Sequence, residues 1–239
     1  MNVAAVVAPQ FHHLPHKQDD GHTNTPSSAA RSRHRRNVGD PGRYWPQNST
    51  LKIALYEFDV NDPYVLAVKK AACQWLPHIN LKFEFVSGEE GDVRIAANNQ
   101  RPQSAVGTGA LSMPESTPTM SLPLDHTDPR FEYIVLHEFG HMLGALHAHQ
   151  HPDADIPWNV PKVHAVYRRN GVSQAQANAD LLPLPRNTAY DYQPYDSDSV
   201  MHYEIDPRLT QGNWAQSESW AISEGDIAWA KNAYPRPAS

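Results

Sequence analysis

The stretch His137-Glu-Phe-Gly-His141-Met-Leu-Gly-Ala-Leu-His147 has the residue types and spacing from which metal chemistry is built. Residues four apart share one face of a helix, so His137 and His141 can direct both imidazoles at one ion. Glu138 lies one residue on, beside that ion and not opposite it, which suits a base acting on metal-bound water. Gly144 can adopt a positive φ without a Cβ clash. The chain can then leave the helix and turn back, so that His147 supplies a third ligand. Three histidines leave a fourth position open, the pattern of a catalytic zinc and not of a structural one. In a shuffled sequence of this composition the five fixed residues arise at roughly one chance in ten thousand. The bland alternative is a helix whose histidines are satisfied in the core or face solvent.

Other histidines carry less. His149 and His151 continue the run, either as a second metal site or as a surface loop after the helix. The loop is the simpler reading, because neither residue has a helical partner to fix its geometry. His12, His13, His16 and His22 form a loose set that a flexible segment seldom turns into a specific site. Trp158, Trp214, Trp220 and Trp229 read as packing residues, and Cys73 as a small core residue in a helix.

Regular elements must position these residues. Residues 51–58 are apolar and β-rich and read as a strand. Asn61-Asp-Pro63 opens a helix, with a capping side chain and proline in the first turn. Val65, Leu66, Val68, Ala72, Trp75 and Leu76 form its apolar face. Residues 81–86 alternate and read as a half-buried strand. Residues 93–96 and 120–124 read as further strands, and residues 106–111, with Gly107 and Gly109, as an edge strand. Asp128-Pro129 opens the helix that carries His137, which runs through Phe131, Ile134, Val135, Leu136, Phe139, Met142 and Leu143 and stops at Gly144. Residues 148–222 are proline-rich and polar with little periodicity, apart from a short helix over 165–169. Ser223-Glu-Gly-Asp226 resembles a capping box, and Ile227, Ala230 and Tyr234 continue it as a last helix.

The chain has 239 residues, 40% hydrophobic and 19% charged, enough for one large core. No apolar run approaches the roughly 18 residues of a membrane span. One cysteine excludes an internal disulfide framework and a cysteine-rich zinc site. A net charge of −6 argues against nucleic acid as a partner. Residues 1–42 hold five Lys/Arg against three Asp and almost no large apolar residues after Phe11 and Leu14. Such a segment cannot bury enough surface to offset its ordering entropy, and it reads as a disordered tail or a prosegment. Residues 43–239 form the folded part, with an upper half to 147 and a lower half from 148. The basic run Arg31-Ser-Arg-His-Arg-Arg36 is either a solvated patch or a site for a processing protease. Val3 to Ala8 makes a poor secretory signal, so both an extracellular and a cytoplasmic location stay open.

The extended histidine pattern is the zinc signature of the metzincin metallopeptidases, and Ser199-Val-Met201-His202-Tyr203 resembles their methionine turn in the form astacins use. Tyr195-Asp196 is similar to astacin sequences. Trp45-Pro46, Asp92-Val-Arg-Ile95, Gly107-Thr-Gly109, Pro118-Thr-Met120 and Tyr234-Pro235 resemble astacin- and matrixin-like proteins over about residues 43–235. The resemblance implies an α+β, zincin-like fold: an upper mixed twisted sheet with two helices, a lower irregular half with a C-terminal helix, and the active-site cleft between them. It implies one catalytic Zn2+ on His137, His141 and His147, with protein or peptide as substrate. Glu138 would be the general base and acid of an endopeptidase using metal-activated water. Met201 would form an apolar floor, and Tyr203 would stabilise the tetrahedral intermediate, against the plainer reading of Tyr203 as a buried phenol. The substrate would lie antiparallel to the edge strand at 106–111. Two departures stand out. Astacins usually follow the third histidine with a glutamate that pairs with the new N-terminus, where this chain has Ala148. They usually carry disulfides, which this chain cannot make internally. Astacin prosegments often block zinc with the aspartate of a Gly-Asp pair, which makes Asp40 a candidate inhibitory ligand. The rival readings are a zinc-binding homologue without turnover that serves as a binding module, and a histidine-rich metal-storage protein. Oligomeric state is not legible.

Overall fold

The structure is a computed structural model and describes residues 37–237 except Glu89 and Gln100. Strand β2 (Thr50–Leu55) lies inside a five-stranded sheet between β3 (Lys82–Ser87) and β4 (Val93–Ala97), parallel to both. Next to β4 comes β6 (Met120–Leu122), also parallel, and then β5 (Gln103–Ser104), antiparallel, at the edge. Parallel neighbours need a crossover, and helix α1 (Pro63–Ala72) supplies it between β2 and β3. Its start is as expected: the Asp62 side chain accepts the Tyr64 N–H, and Pro63 fills the first turn. Helix α2 (Phe131–Met142) packs against α1, and Trp75 donates its indole N–H to the Leu136 carbonyl at 3.1 Å. Ile53, Leu55, Val68, Ile95, Leu122, Leu136 and Phe139 form the core between sheet and helices.

Several local expectations shift. Residues 107–112 are not an edge strand but a 3-10 turn, because Gly107 takes φ +48 and its backbone presses on Arg43. The edge strand is β5, just before it. The strand at 120 ends before Pro123, which has no N–H to give to a ladder. Cys73 is half-buried, at the start of a 3-10 turn that follows α1.

The lower half holds more helix than its sequence suggests. Helix α3 (Val160–Arg169) starts earlier than 165, and α4 (Gln174–Leu181) follows from a Ser173 cap. Trp158, Val163, Tyr167, Ala177, Leu181, Ile205 and Leu209 gather into a second, smaller core there. Helix α5 (Glu224–Ala233) has the anticipated capping box. It belongs to the upper core: Trp229 meets Trp75 edge-on at 6.2 Å.

The folded body begins earlier than residue 43. Asn37, Val38 and Gly39 are buried, and β1 (Val38–Gly39) pairs antiparallel with β7 (Asp191–Tyr192). Leu146 N–H donates to the Val38 carbonyl, and Asp40 N–H to the Gly144 carbonyl. The expectations for residues 1–36, including the basic run, lie outside the described residues. Among the described residues no helix is long and apolar enough to cross a membrane.

Candidate active site

Helix α2 ends with the groups that its last turn leaves unpaired all satisfied. Gly144 sits at φ +98, its N–H bonds to the His141 carbonyl, and the Ala145 N–H bonds to the Gly140 carbonyl. This is a Schellman turn, which glycine permits because it has no Cβ to clash. The indole N–H of Trp45 donates to the Met142 carbonyl at 2.8 Å, and the Tyr234 hydroxyl to the Leu143 carbonyl at 2.7 Å. The turn is therefore fixed on three sides, and it throws His147 back toward the helix face that carries His137 and His141.

The three imidazoles converge as expected: each offers a nitrogen, and these atoms lie within 4.8 Å of one another. His137 Nδ1 lies 2.8 Å from the Val200 carbonyl, and His141 Nδ1 lies 2.9 Å from the Ala145 carbonyl. A carbonyl can only accept, so each Nδ1 carries the proton and each Nε2 presents a lone pair. The Nε2 atoms of His141 and His147 are 2.9 Å apart. Burial lowers His137 to about 4 and His141 to about 3, and it lowers His147 well below the ordinary value. Three buried imidazoles with converging nitrogens, two of them with the second nitrogen held by a backbone carbonyl, fit a zinc ion, and the His147 Nδ1 is buried without a partner.

Around them stand the other expected residues. Glu138 is buried, and its Oε2 has no hydrogen-bond partner. Burial raises its carboxyl to about 8, and the nearby Arg101 works against that rise. The Tyr203 ring stacks 5.6 Å from His137 and lies tilted 4.0 Å from His147, centroid to centroid. Burial first, and then Glu138, hold its phenol well above the ordinary value. Met201 lies directly beneath α2: a Cβ on Gly140 would stand 2.3 Å from the Met201 Sδ, so only glycine allows this approach.

Asp226 shapes the methionine turn, a role the capping-box reading did not anticipate. Its Oδ1 accepts from the Ser199 hydroxyl at 2.7 Å, and its Oδ2 accepts from Val200 N–H and Ser223 N–H, each at 2.8 Å. The Asn37 side-chain amide also donates to Oδ1. Val200 in turn holds His137, so one buried carboxylate reaches the candidate metal group through a single residue. Ala148, where a glutamate was the usual expectation, is buried and donates its N–H to the Met201 carbonyl. The carboxylate that meets the N-terminal segment is Asp226 instead. Arg101 is a second residue that no sequence signal marked. It is half-buried, and its Nη2 is enclosed without a hydrogen-bond partner.

Some expectations are corrected. His149 and His151 are not on a surface loop; they are 0% and 2% exposed. His149 Nε2 bonds to the Asp180 carbonyl at 3.0 Å, and His151 Nδ1 accepts the Asp153 N–H at 2.9 Å. Neither joins a metal-binding group; among the described residues the one such group is His137, His141 and His147. Asp40 caps the turn Pro41–Arg43, accepting from Gly42 N–H and from Arg43 Nε at 3.1 Å each, and is not in that group. Trp158 and Trp229 are packing residues as expected, but Trp220 is 49% exposed. Beside the free edge of β5 runs a cavity of 220 Å³, lined by Gln103, Ser104 and Val106 above and by Gln150, Leu184 and Tyr190 below.

The model of one protein family, the Astacin peptidase family, matches residues 38–214. Tolloid-like protein 1 of Homo sapiens is 30% identical over 119 residues, covering 44% of this chain and 11% of that protein. The chain thus spans about a tenth of that relative's length. The structure of myroilysin is 31% identical with a TM-score of 0.76, covering 84% of this chain and 100% of that one. High choriolytic enzyme 1, a hatching enzyme zinc-protease from Oryzias latipes (Medaka fish), has a TM-score of 0.55 at 16% identity, covering 80% of this chain and 93% of that one. That last likeness is one of fold.

Proposed function

This chain belongs to the astacin peptidase family of zinc metalloproteases, and on that premise we propose an endopeptidase in which Glu138 is the general base and acid. The observation that carries this reading is the convergence of three neutral, buried imidazoles beside a carboxylate with one oxygen left unpartnered. Nε2 of His137, His141 and His147 would hold one zinc, which when bound supplies a Lewis acid that acidifies water and polarises a carbonyl. Glu138 takes the proton from the attacking water and returns it to the leaving amine. The Tyr203 hydroxyl donates to the oxygen on which negative charge develops. Protein or peptide is the substrate, and an extended segment pairs with the free edge of β5, so that backbone hydrogen bonds set its register.

Glu138→Gln tests the assignment, because it removes a base while keeping shape and ligands. The variant should retain stoichiometric zinc and a wild-type fold, with peptide hydrolysis lower by about 10²–10⁴-fold. Activity within a few-fold of wild type would take the role from Glu138.

A further inference from the structure

We infer that the exposed indole of Trp220 is a substrate platform on which an aromatic or large apolar side chain of the peptide docks, within about three or four residues of the scissile bond. The inference rests on the endopeptidase reading and adds a specificity determinant to it. Three observations converge on this residue.

The first is position. The Tyr133 ring stands edge-on to His137 at 6.0 Å, and the Trp220 indole stacks on Tyr133 at 6.4 Å with an interplanar angle of 17°. The indole centroid is therefore within about 12 Å of a metal-binding ring, a span of about three to four extended residues. The second is exposure. Trp45, Trp75 and Trp229 are at most 4% exposed, whereas Trp220 is 49% exposed. The ring runs nearly parallel to Tyr133, and about half of the residue is still reached by solvent. The third is rigidity. Trp220 Nε1–H donates to Glu218 Oε1 at 2.8 Å, and Arg130 grips both oxygens of Glu218, Nε at 3.0 Å and Nη2 at 2.7 Å. Arg130 is the residue that precedes α2, so the exposed ring is tied to the helix that carries the ligands.

Tying the indole N–H to an ion-paired carboxylate while leaving much of the apolar ring exposed is what a recognition surface needs. A rigid indole loses little conformational freedom when a side chain packs on it. Continuity through Tyr133 to His137 makes the bound peptide the occupant of that face. If Trp220 only covered Tyr133, its removal would change stability and leave residue preference alone.

The test compares the full wild-type chain with Trp220→Ala and Trp220→Phe on a peptide library that varies each position around the cleaved bond. At one position, kcat/KM for Phe, Tyr, Trp or Leu should fall by about 5- to 10-fold in Trp220→Ala, mainly through KM, in keeping with the strength of an aromatic pair. Peptides with Gly there should change by less than about 2-fold, and Trp220→Phe should keep most of the preference. The same peptides are titrated against zinc-loaded Glu138→Gln with and without Trp220→Ala. If wild type cleaves nothing yet Glu138→Gln binds the Phe peptide more tightly than the Gly peptide in a Trp220-dependent way, the platform stands and the endopeptidase reading falls. Equal loss for all peptides, or equal binding of the Phe and Gly peptides, overturns the platform. A preference for Lys or Arg at that position overturns the apolar assignment in favour of cation–π capture.

Discussion

Above the candidate metal site, helix α2 sets His137 and His141 by its own periodicity, and one glycine turn brings in His147. Below it, residues 199–203 have no regular structure and take their shape from Asp226, a carboxylate on α5 that lies 26 residues beyond Val200. The upper wall would keep most of its shape if any one side-chain hydrogen bond were lost, because backbone bonds repeat along the helix. The lower wall hangs on a few charge-assisted bonds, each stronger than a neutral one and none repeated. One site thus depends on two kinds of order, local above and long-range below, and α5 links them by packing Trp229 into the upper core.

The largest expected effect separates chemistry from scaffold. His141→Ala removes a ligand from the regular wall, and its loss should leave the fold intact, because α2 keeps its ladder and Ala favours helix. Elemental analysis should find no bound zinc after dialysis, and peptide hydrolysis should fall to background. Stoichiometric zinc in the variant would remove His141 from the ligand set.

Asp226→Ala strikes the other wall. It strips partners from Ser199 Oγ, Val200 N–H and Ser223 N–H together. An unsatisfied buried donor costs about 1–3 kcal/mol, so urea unfolding should show a loss of at least about 3 kcal/mol over the set. Zinc affinity should weaken as well, because Val200 orients His137. A variant that keeps both stability and affinity would show that the lower wall holds itself without α5.

What could be read beforehand follows the same division. The three histidines, the Gly144 stop and the α5 cap are local patterns: the imidazoles converge, Gly144 turns the chain at a positive φ, and Ser223 caps α5. The α+β upper sheet was legible from runs such as 81–86. Three features were not. Helix α4 has the sequence Gln-Ala-Gln-Ala-Asn-Ala-Asp-Leu, with small and polar residues and no apolar stripe, so periodicity does not mark it, and the Ser173 cap and packing against α3 define it. His149 and His151 read as polar surface, yet neighbours from α4 and the 190s bury them. Asp226 announced itself as a helix cap, and nothing in local spacing tells that the same carboxylate also holds the methionine turn and Asn37.

The smallest expected effect concerns where the folded chain begins, which composition set at residue 43, whereas Asn37, Val38 and Gly39 are already buried in the fold. Three lengths should be compared: the full chain, a chain starting at Asn37 and a chain starting at Tyr44. We expect residues 1–36 to be removable without loss of stability, because their composition supports no core of its own. Residues 37–43 are different. Val38 is fully buried, β1 pairs with β7, and the Val38 carbonyl accepts the Leu146 N–H one residue before His147. Burial of one valine contributes about 1.5–3 kcal/mol, so the chain starting at Tyr44 should unfold at lower urea by about 2–3 kcal/mol. It should also bind zinc more weakly, because Leu146 and His147 lose their anchor. The chain starting at Asn37 should match or exceed the activity of the full chain; higher activity would mark residues 1–36 as inhibitory. If the chain starting at Tyr44 equals the other two in stability and zinc affinity, β1 is an ornament of the fold, and the turn that presents His147 is held by Trp45 and Tyr234 alone.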